Sequence, residues 1–326
     1  MSQNWIRKCS LTVADEKGEG LELSSFRCTF SISWPDTHWP RTAVFKVWNL
    51  KPETANRIQA GEFASVQLIA GYQDNYGLIF TGKIRYSITG RDNPTDTFVI
   101  IQAVDSHDAY DYATMNTTLS AGHTQAEQHH ALLEGLASYG IVKGAAPDFD
   151  ATRFPRGKTY FGMTRDAADN LAGQCRASWQ YINGQLVMVP EDNYVQEAIV
   201  LNSTTGLIGM PQQTIMAGVN VRCLINPNIQ VNGLIRLDQS LIYRTMLPDS
   251  DIAAAPGRID TVTDGALQQT SGSISQPASL STDGDYIVKN ISYSGDTRGK
   301  PWYMDLVCIA KGSADLMNAS TLNRTS

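Results

Sequence analysis

Three carboxylates spaced three apart, Asp105, Asp108 and Asp111 in "VDSHDAYDYA", are the residues best equipped for chemistry in this chain. On a helix that spacing would put them on one face. A pair of carboxyls held about 5 to 10 Å apart in a cleft can hydrolyse a glycosidic bond. The same acids also suit a hydrated helix start, where negative charge meets the positive end of the helix dipole. On the first reading the chain is a peptidoglycan hydrolase; on the second the acids are structural, and Tyr110 and Tyr112 pack or contact a neighbour.

Two glycine-bearing stretches could cradle phosphate. Gly157-Lys158-Thr159 ends like a phosphate-binding loop, but the glycine required five positions earlier is Thr152, and "TYFGM" after it reads as extended. "LNSTTGLIGMP", residues 201–211, is followed by Pro211 and a strand-forming run, so it lacks the helix N-terminus at which anions usually sit. Gly206 and Gly209 there serve the backbone, and the stretch reads as a joint. The histidines, His38, His107, His123, His129 and His130, form no HExxH pattern, and adjacent His129 and His130 point to different sides of a helix; surface or capping roles are expected. No GxSxG occurs. The five cysteines, Cys9, Cys28, Cys175, Cys223 and Cys308, are odd in number, far apart and without CxxC. They read as reduced core thiols, not zinc ligands. No catalytic residue, cofactor or metal is expected.

The elements that would carry these residues are mostly strands. At 326 residues, with 42% hydrophobic and 18% charged side chains, the chain is globular and long enough for two or three domains. The net charge of −6 and the absence of a basic stripe argue against sequence-specific DNA binding; the longest basic cluster is "RFPRGK". "FRCTFSIS", "TAVFKVWNL" and "TFVIIQAVD" alternate, with Ala43, Phe45 and Val47 on one face and Val44, Lys46 and Trp48 on the other. One helix, at "LKPETANRIQA", opens with Pro52 and stops at Gly61. Past Val104 the pattern turns helical. Thr124 and Glu127 form a capping box, Ala131, Leu132 and Leu136 line one side, and a second helix near Thr164 aligns Ala168, Leu171, Ala172 and Cys175. Asn183-Gly184 between two apolar strands is a hairpin signal.

These readings give a mainly β chain with an α+β insertion: two antiparallel β-modules, at 1–104 and 198–312, the first a small barrel or sandwich, flanking a small α+β domain at 105–197. A long loop is expected at 247–280 and a flexible tail at 313–326. The N-terminus "MSQNWIRKCSLTV" has no apolar signal core, and no run approaches the ~18 apolar residues of a membrane span, so folding in a cytoplasm without membrane insertion is expected. Trp34 and Trp39 in "SWPDTHWP" suit either core packing or an interface. Asp296, Arg298 and Trp302 in "SGDTRGKPWY" lie in or beside a hairpin loop that could contact a neighbour.

The ordered stretches "VWNLKPETANRI", "VQLIAGYQDNYGLIFTGKI", "WQYINGQLVMVP", "LNSTTGLIGMP", "VRCLINPNIQVNGLIRLD" and "YIVKNISYSGDTRGKPWYMDLVCI" resemble the baseplate hub, or late-control-type, proteins of contractile-tailed phages. The resemblance spans most of residues 1–310. It implies that the two β-modules are tube-like antiparallel β-barrel modules, and that a homotrimer's six such modules form a pseudo-hexameric ring between the sixfold tail tube and the threefold central spike. The implied partners are tail tube, spike, baseplate wedge and tape measure proteins, with DNA passing through the lumen. It places the protein in the virion's tail baseplate, assembled in the bacterial host cytoplasm. A net acidic bore would let DNA slide without being held. A glycan- or receptor-binding tail module is the remaining alternative.

Overall fold

The computed structural model describes residues 6–191, 193–213, 218–237, 259–263, 266–270 and 284–311. The tail at 313–326 lies outside them. The first hundred residues form β1 (Arg7–Ala14), β2 (Gly20–Glu22), β3 (Cys28–Pro35), β4 (Thr42–Trp48), helix α1 (Pro52–Gln59), β5 (Ser65–Tyr72), β6 (Asn75–Arg91) and β7 (Thr97–Val104). Next come α2 (His107–Tyr112), β8 (Thr114–Leu119), α3 (Gln125–Leu136), β9 (Val142–Lys143), β10 (Lys158–Met163), α4 (Thr164–Cys175), β11 (Ala177–Ile182) and β12 (Gln185–Pro190). The last part holds β13 (Ile199–Leu201), β14 (Leu207–Gln213), β15 (Gly218–Leu224), β16 (Leu234–Leu237), β17 (Ile259–Thr263), β18 (Ala266–Thr270), β19 (Asp285–Asp296) and β20 (Trp302–Ala310).

The chain is mainly antiparallel β with a small α+β insertion, as the alternation implied. The stretches on either side of the insertion share one 13-stranded sheet, with the path β14-β15-β20-β19-β3-β4-β7-β6-β5-β1-β2 and a branch in which β16 pairs β19 and β13 pairs β16. β3 and β19 join them antiparallel, with Ile32 opposite Tyr293 and Ser33 opposite Ser292. One core underlies both stretches, drawing Phe30, Phe45 and Phe80 from the first and Val221, Tyr293 and Met304 from the second. Fully burying such a side chain is worth about 1.5–3 kcal/mol, which makes the β3–β19 seam a cohesive joint.

The insertion has its own core, built from residues between Ala109 and Met188, including Leu132, Leu136, Leu171 and Trp179. Its helices start and stop as their residues dictate. At α3 the Thr124 hydroxyl accepts from the Glu127 N–H and the Glu127 carboxylate accepts from the Thr124 N–H. The β11–β12 hairpin turns on Asn183 (φ 50°) and Gly184 (φ 75°), both in the left-handed region that a two-residue type I′ turn needs.

One expectation is corrected. The stretch 247–280 is not all loop, because β17 and β18 pair as a hairpin from Ile259↔Thr270 to Thr263↔Ala266. The rest of that stretch lies outside the described residues. Among the described residues no helix is long and apolar enough to cross a membrane.

Candidate assembly surface

The three carboxylates that could have formed an acid/base pair do not converge. Asp105 precedes α2, because Ser106 takes a left-handed conformation (φ 49°) that turns the chain before the helix begins. Its carboxylate is buried against Arg41, which donates from Nε at 2.9 Å and from Nη2, and it also accepts from the Asn183 N–H at 3.1 Å. Asp108 pairs with Lys83. Asp111 faces His107 Nδ1 at 3.2 Å, Arg165 at 3.7 Å and Arg85 at 3.8 Å. The shared helical face expected from the spacing is therefore not formed, since only two of the three acids lie on α2 and each has its own cation. That is charge neutralisation at the joint between sheet and insertion.

The other chemical candidates resolve similarly. Lys158 and Thr159 sit on β10, extended as read, and Lys158 Nζ donates to Gln128 and Asn170. In "LNSTTGLIGMP" the Asn202 side chain accepts from the N–H groups of Thr204 and Thr205, both at 2.9 Å, and the chain enters β14 directly. It is a joint. The histidine expectation needs correcting: His107, His123 and His129 are buried. His123 stacks on Phe154 at 5.0 Å and His129 packs on Phe149 at 5.1 Å, because these rings hold the irregular stretch between β9 and β10 against α3. Burial, helped by Lys143 and His130, lowers the pKa of His129, whereas His130 is exposed on the opposite side. All five cysteines are free, and Cys28, Cys223 and Cys308 are buried. Among the described residues no group of three or more His, Cys, Asp or Glu is placed to hold a metal.

Of the five residues marked as contact candidates, three are satisfied inside the chain. Trp34 is buried, donates from Nε1 to Gln180 at 2.9 Å and lies under the Arg41 guanidinium. Trp302 is buried against Phe30 and donates to the Gly71 carbonyl at 3.3 Å. Asp296 is buried and bonded by Arg27 at 2.7 Å. Burial pushes its pKa up, but the hydrogen bonds from Arg27 and from the backbone of Arg298 and Gly299 outweigh that and hold it low. Arg298 donates to the Ser25 carbonyl at 3.2 Å, and Arg7 bonds the carbonyls of Asp296, Gly299 and Lys300, so the loop is tied to the first stretch. Trp39, 61% exposed, and Arg298 are the two candidates that reach solvent.

Among the described residues one uncovered feature is a sheet face. From β14 to β6 the strands turn one set of alternate side chains into the core and the other set outward. One outward row runs Tyr303, Ser294, Ser31, Val44, Gln102, Tyr86 across both stretches. The next runs Asp305, Ser292, Ser33, Thr42, Val104, Lys83. The seam is thus lined by serines. About it the strand order matches on both sides: β3 is followed by its hairpin partner β4 and then the hairpin pair β7-β6, and β19 by its hairpin partner β20 and then the pair β15-β14.

Both ends of this run are open among the described residues. β6 pairs β5 from Asn75 to Lys83 and β7 from Lys83 to Arg91, so residues 84–91 have one edge without a strand. β14 pairs only β15. Sequence reasoning found the alternation that makes this face, but it had no signal for the β3–β19 pairing, which links positions more than 250 residues apart.

A family model described as baseplate hub gp41 matches residues 43–243, more than half of the chain. Among solved structures, the 43 kDa tail protein of prophage MuSo2 from Shewanella oneidensis is similar at 7% identity, with a TM-score of 0.57 and coverage of 94% of this chain and 98% of that one. A tail protein from Neisseria meningitidis MC58 is similar at 9% identity and a TM-score of 0.55, again covering 94% and 98%. The c3393 protein of E. coli, a type VI secretion component with structural similarity to the T4 tail proteins gp27 and gp5, is similar at 8% identity and a TM-score of 0.50, covering 93% of this chain and 76% of that one. At these identities the likeness is one of fold. No curated protein sequence matches the chain.

Proposed function

The chain belongs to the baseplate hub gp41 family, and from that membership we propose that three copies form the ring that joins the sixfold tail tube to the threefold central spike and leaves a bore for DNA. The observation that carries this reading is the run of eight strands from β14 to β6, with matching order on both sides of the β3–β19 seam and, among the described residues, an open edge at each end. Two like halves per chain give six per trimer, which is what a threefold ring needs to meet a sixfold tube. Pairing the 84–91 edge of one copy with β14 of the next would cover both edges, and an uncovered edge is otherwise an aggregation hazard. Three times eight strands makes a wall of twenty-four. At about 4.8 Å per strand that is roughly 115 Å around and about 37 Å across between backbones, before strand tilt widens it.

On this reading 1–104 and 198–312 are the two tube-like modules and 105–197 is the α+β domain set at one end of them. The partners are a tail tube protein, a central spike protein, wedge proteins and a tape measure protein, met in the virion after assembly in the host cytoplasm. Exposed Trp39 and Arg298 are the contact candidates that remain available. The role is structural, supported by the separate neutralisation of Asp105, Asp108 and Asp111. The outward face assigned to the bore has balanced charge, in place of the net acidic wall expected from the total. Light scattering of the purified chain, alone and with its tube and spike proteins, tests the reading: a trimer mass in the complexes supports it, and a monomer or dimer under every condition overturns it.

A further inference from the structure

The three cations at register-paired outward positions of the eight-strand face, Arg222, Lys46 and Lys83, each have their own carboxylate. Arg222 is bonded by Asp305 through Nε at 2.6 Å and Nη2 at 3.1 Å. Lys46 is bonded by Asp92 at 2.8 and 3.0 Å, and Lys83 by Asp108. The hydrogen bonds from Lys46 and Trp48 hold the Asp92 carboxyl below its ordinary pKa, so it stays ionised in moderate acid. These pairs are solvent-accessible, with 49% and 42% of the Arg222 and Asp305 side chains exposed. Surface pairs of that kind add little to stability, typically 0–1 kcal/mol, so stability alone gives little reason for them. A lone Lys or Arg on a wall, however, takes up phosphate by releasing counterions, and each such contact adds about 0.9 to the salt slope of binding.

Resting on the bore reading, we infer that Asp92, Asp108 and Asp305 mask the three wall cations from the phosphates of duplex DNA, so that the wall holds neither the duplex nor a counterion layer that the duplex must displace. Ser31, Ser33, Ser292 and Ser294, the outward groups in the middle of the seam, are hydroxyls, which carry no charge. Low DNA retention then comes from local charge cancellation at named positions and not from repulsion by a net acidic surface.

The test uses assembled rings of the full chain and fluorescent duplexes of about 300 base pairs, linear or closed into a circle, titrated across salt concentration. Only the linear form can thread a bore. Unaltered rings are expected to bind both weakly. Rings carrying Asp92→Asn, Asp108→Asn and Asp305→Asn together are expected to bind the linear duplex about tenfold or more tighter at 50 mM salt, with a steeper salt slope. The closed duplex should gain little. Rings in which Lys46, Lys83 and Arg222 are instead changed to Gln should behave like the unaltered ones. Should the triple variant fail to assemble, Asp305→Asn alone carries the test, with a smaller rise in slope. Assembled variant rings with unchanged affinity and slope overturn the masking while leaving the bore reading intact. An equal gain for the closed duplex puts the cations outside the bore and overturns it too. Failure of the unaltered chain to form rings overturns the bore reading and the masking together.

Discussion

Gly295 lies opposite Phe30 in the antiparallel register of β19 and β3, and the Phe30 ring occupies the space that a Cβ at position 295 would need. The ring is 3% exposed and packs edge-on against Trp302 at 5.3 Å, so it has nowhere to go. Gly295→Ala is therefore expected to cost about 1–3 kcal/mol, the usual range for overpacking a tight core. Phe30→Leu should recover part of that loss, and urea unfolding of both single variants and the double variant measures the coupling.

The Arg41–Asp105 pair is nearly inaccessible, with side-chain exposures of 3% and 2%, and it links the sheet to the Asn183 turn of the insertion. Removing one partner strands a buried charge. Arg41→Met or Asp105→Ala is expected to cost about 3–5 kcal/mol in urea unfolding. Asp108→Asn, at an exposed pair, should cost less than about 1 kcal/mol. Peptidoglycan zymography of the unaltered chain should show no clearing; clearing that disappears in an Asp108→Asn variant would reinstate the hydrolase reading.

The capping box of α3 gives a smaller expected effect. Thr124→Ala removes the acceptor for the Glu127 N–H and should lower stability by about 1 kcal/mol. Faster hydrogen exchange should appear first at the N-terminal turn of α3, with β3 and β19 unaffected.

Stability should fall at both ends of the pH range, for different groups. The pKa of His129 is lowered by burial, so the unfolded chain binds its proton first. The stability it contributes is complete above about pH 6.5 and is lost as pH falls through its folded pKa. The contact with Phe149 should loosen in that window, and His129→Gln should remove that component. Burial raises Cys9 and Cys223 to about 12 and pushes Cys28 and Cys308 up as well. Their contribution is complete below about pH 8.5 and is lost as pH climbs toward the folded values. Thermal melts between pH 5 and pH 11 would show both flanks.

Local chemistry was legible and long-range pairing was not. The Thr124–Glu127 box, the Asn183-Gly184 turn and the Ala43/Phe45/Val47 alternation are set by neighbours within a few residues, so they can be read from the string. Only the shared helical face suggested for Asp105, Asp108 and Asp111 failed, because Ser106 breaks the helical phase between the first and second, a backbone detail their spacing does not encode. Trp34 and Trp302 could not be told from surface anchors, because their partners Gln180 and Gly71 lie 146 and 231 residues away. The β17–β18 hairpin within a stretch rich in Ala, Ser and Gly was missed because its strands are short and weakly apolar. The resemblance supplied what no local pattern holds, the expectation of a ring.

An electron-microscopy reconstruction of the hub assembled with its tube and spike proteins addresses that ring directly. The expected map shows three chains, a wall of paired strands in which residues 84–91 of one copy lie beside β14 of the next, and the serines of the β3–β19 seam turned toward the bore. A map with that sheet face turned outward or buried against another protein, or with edges 84–91 and β14 far apart between copies, would contradict it.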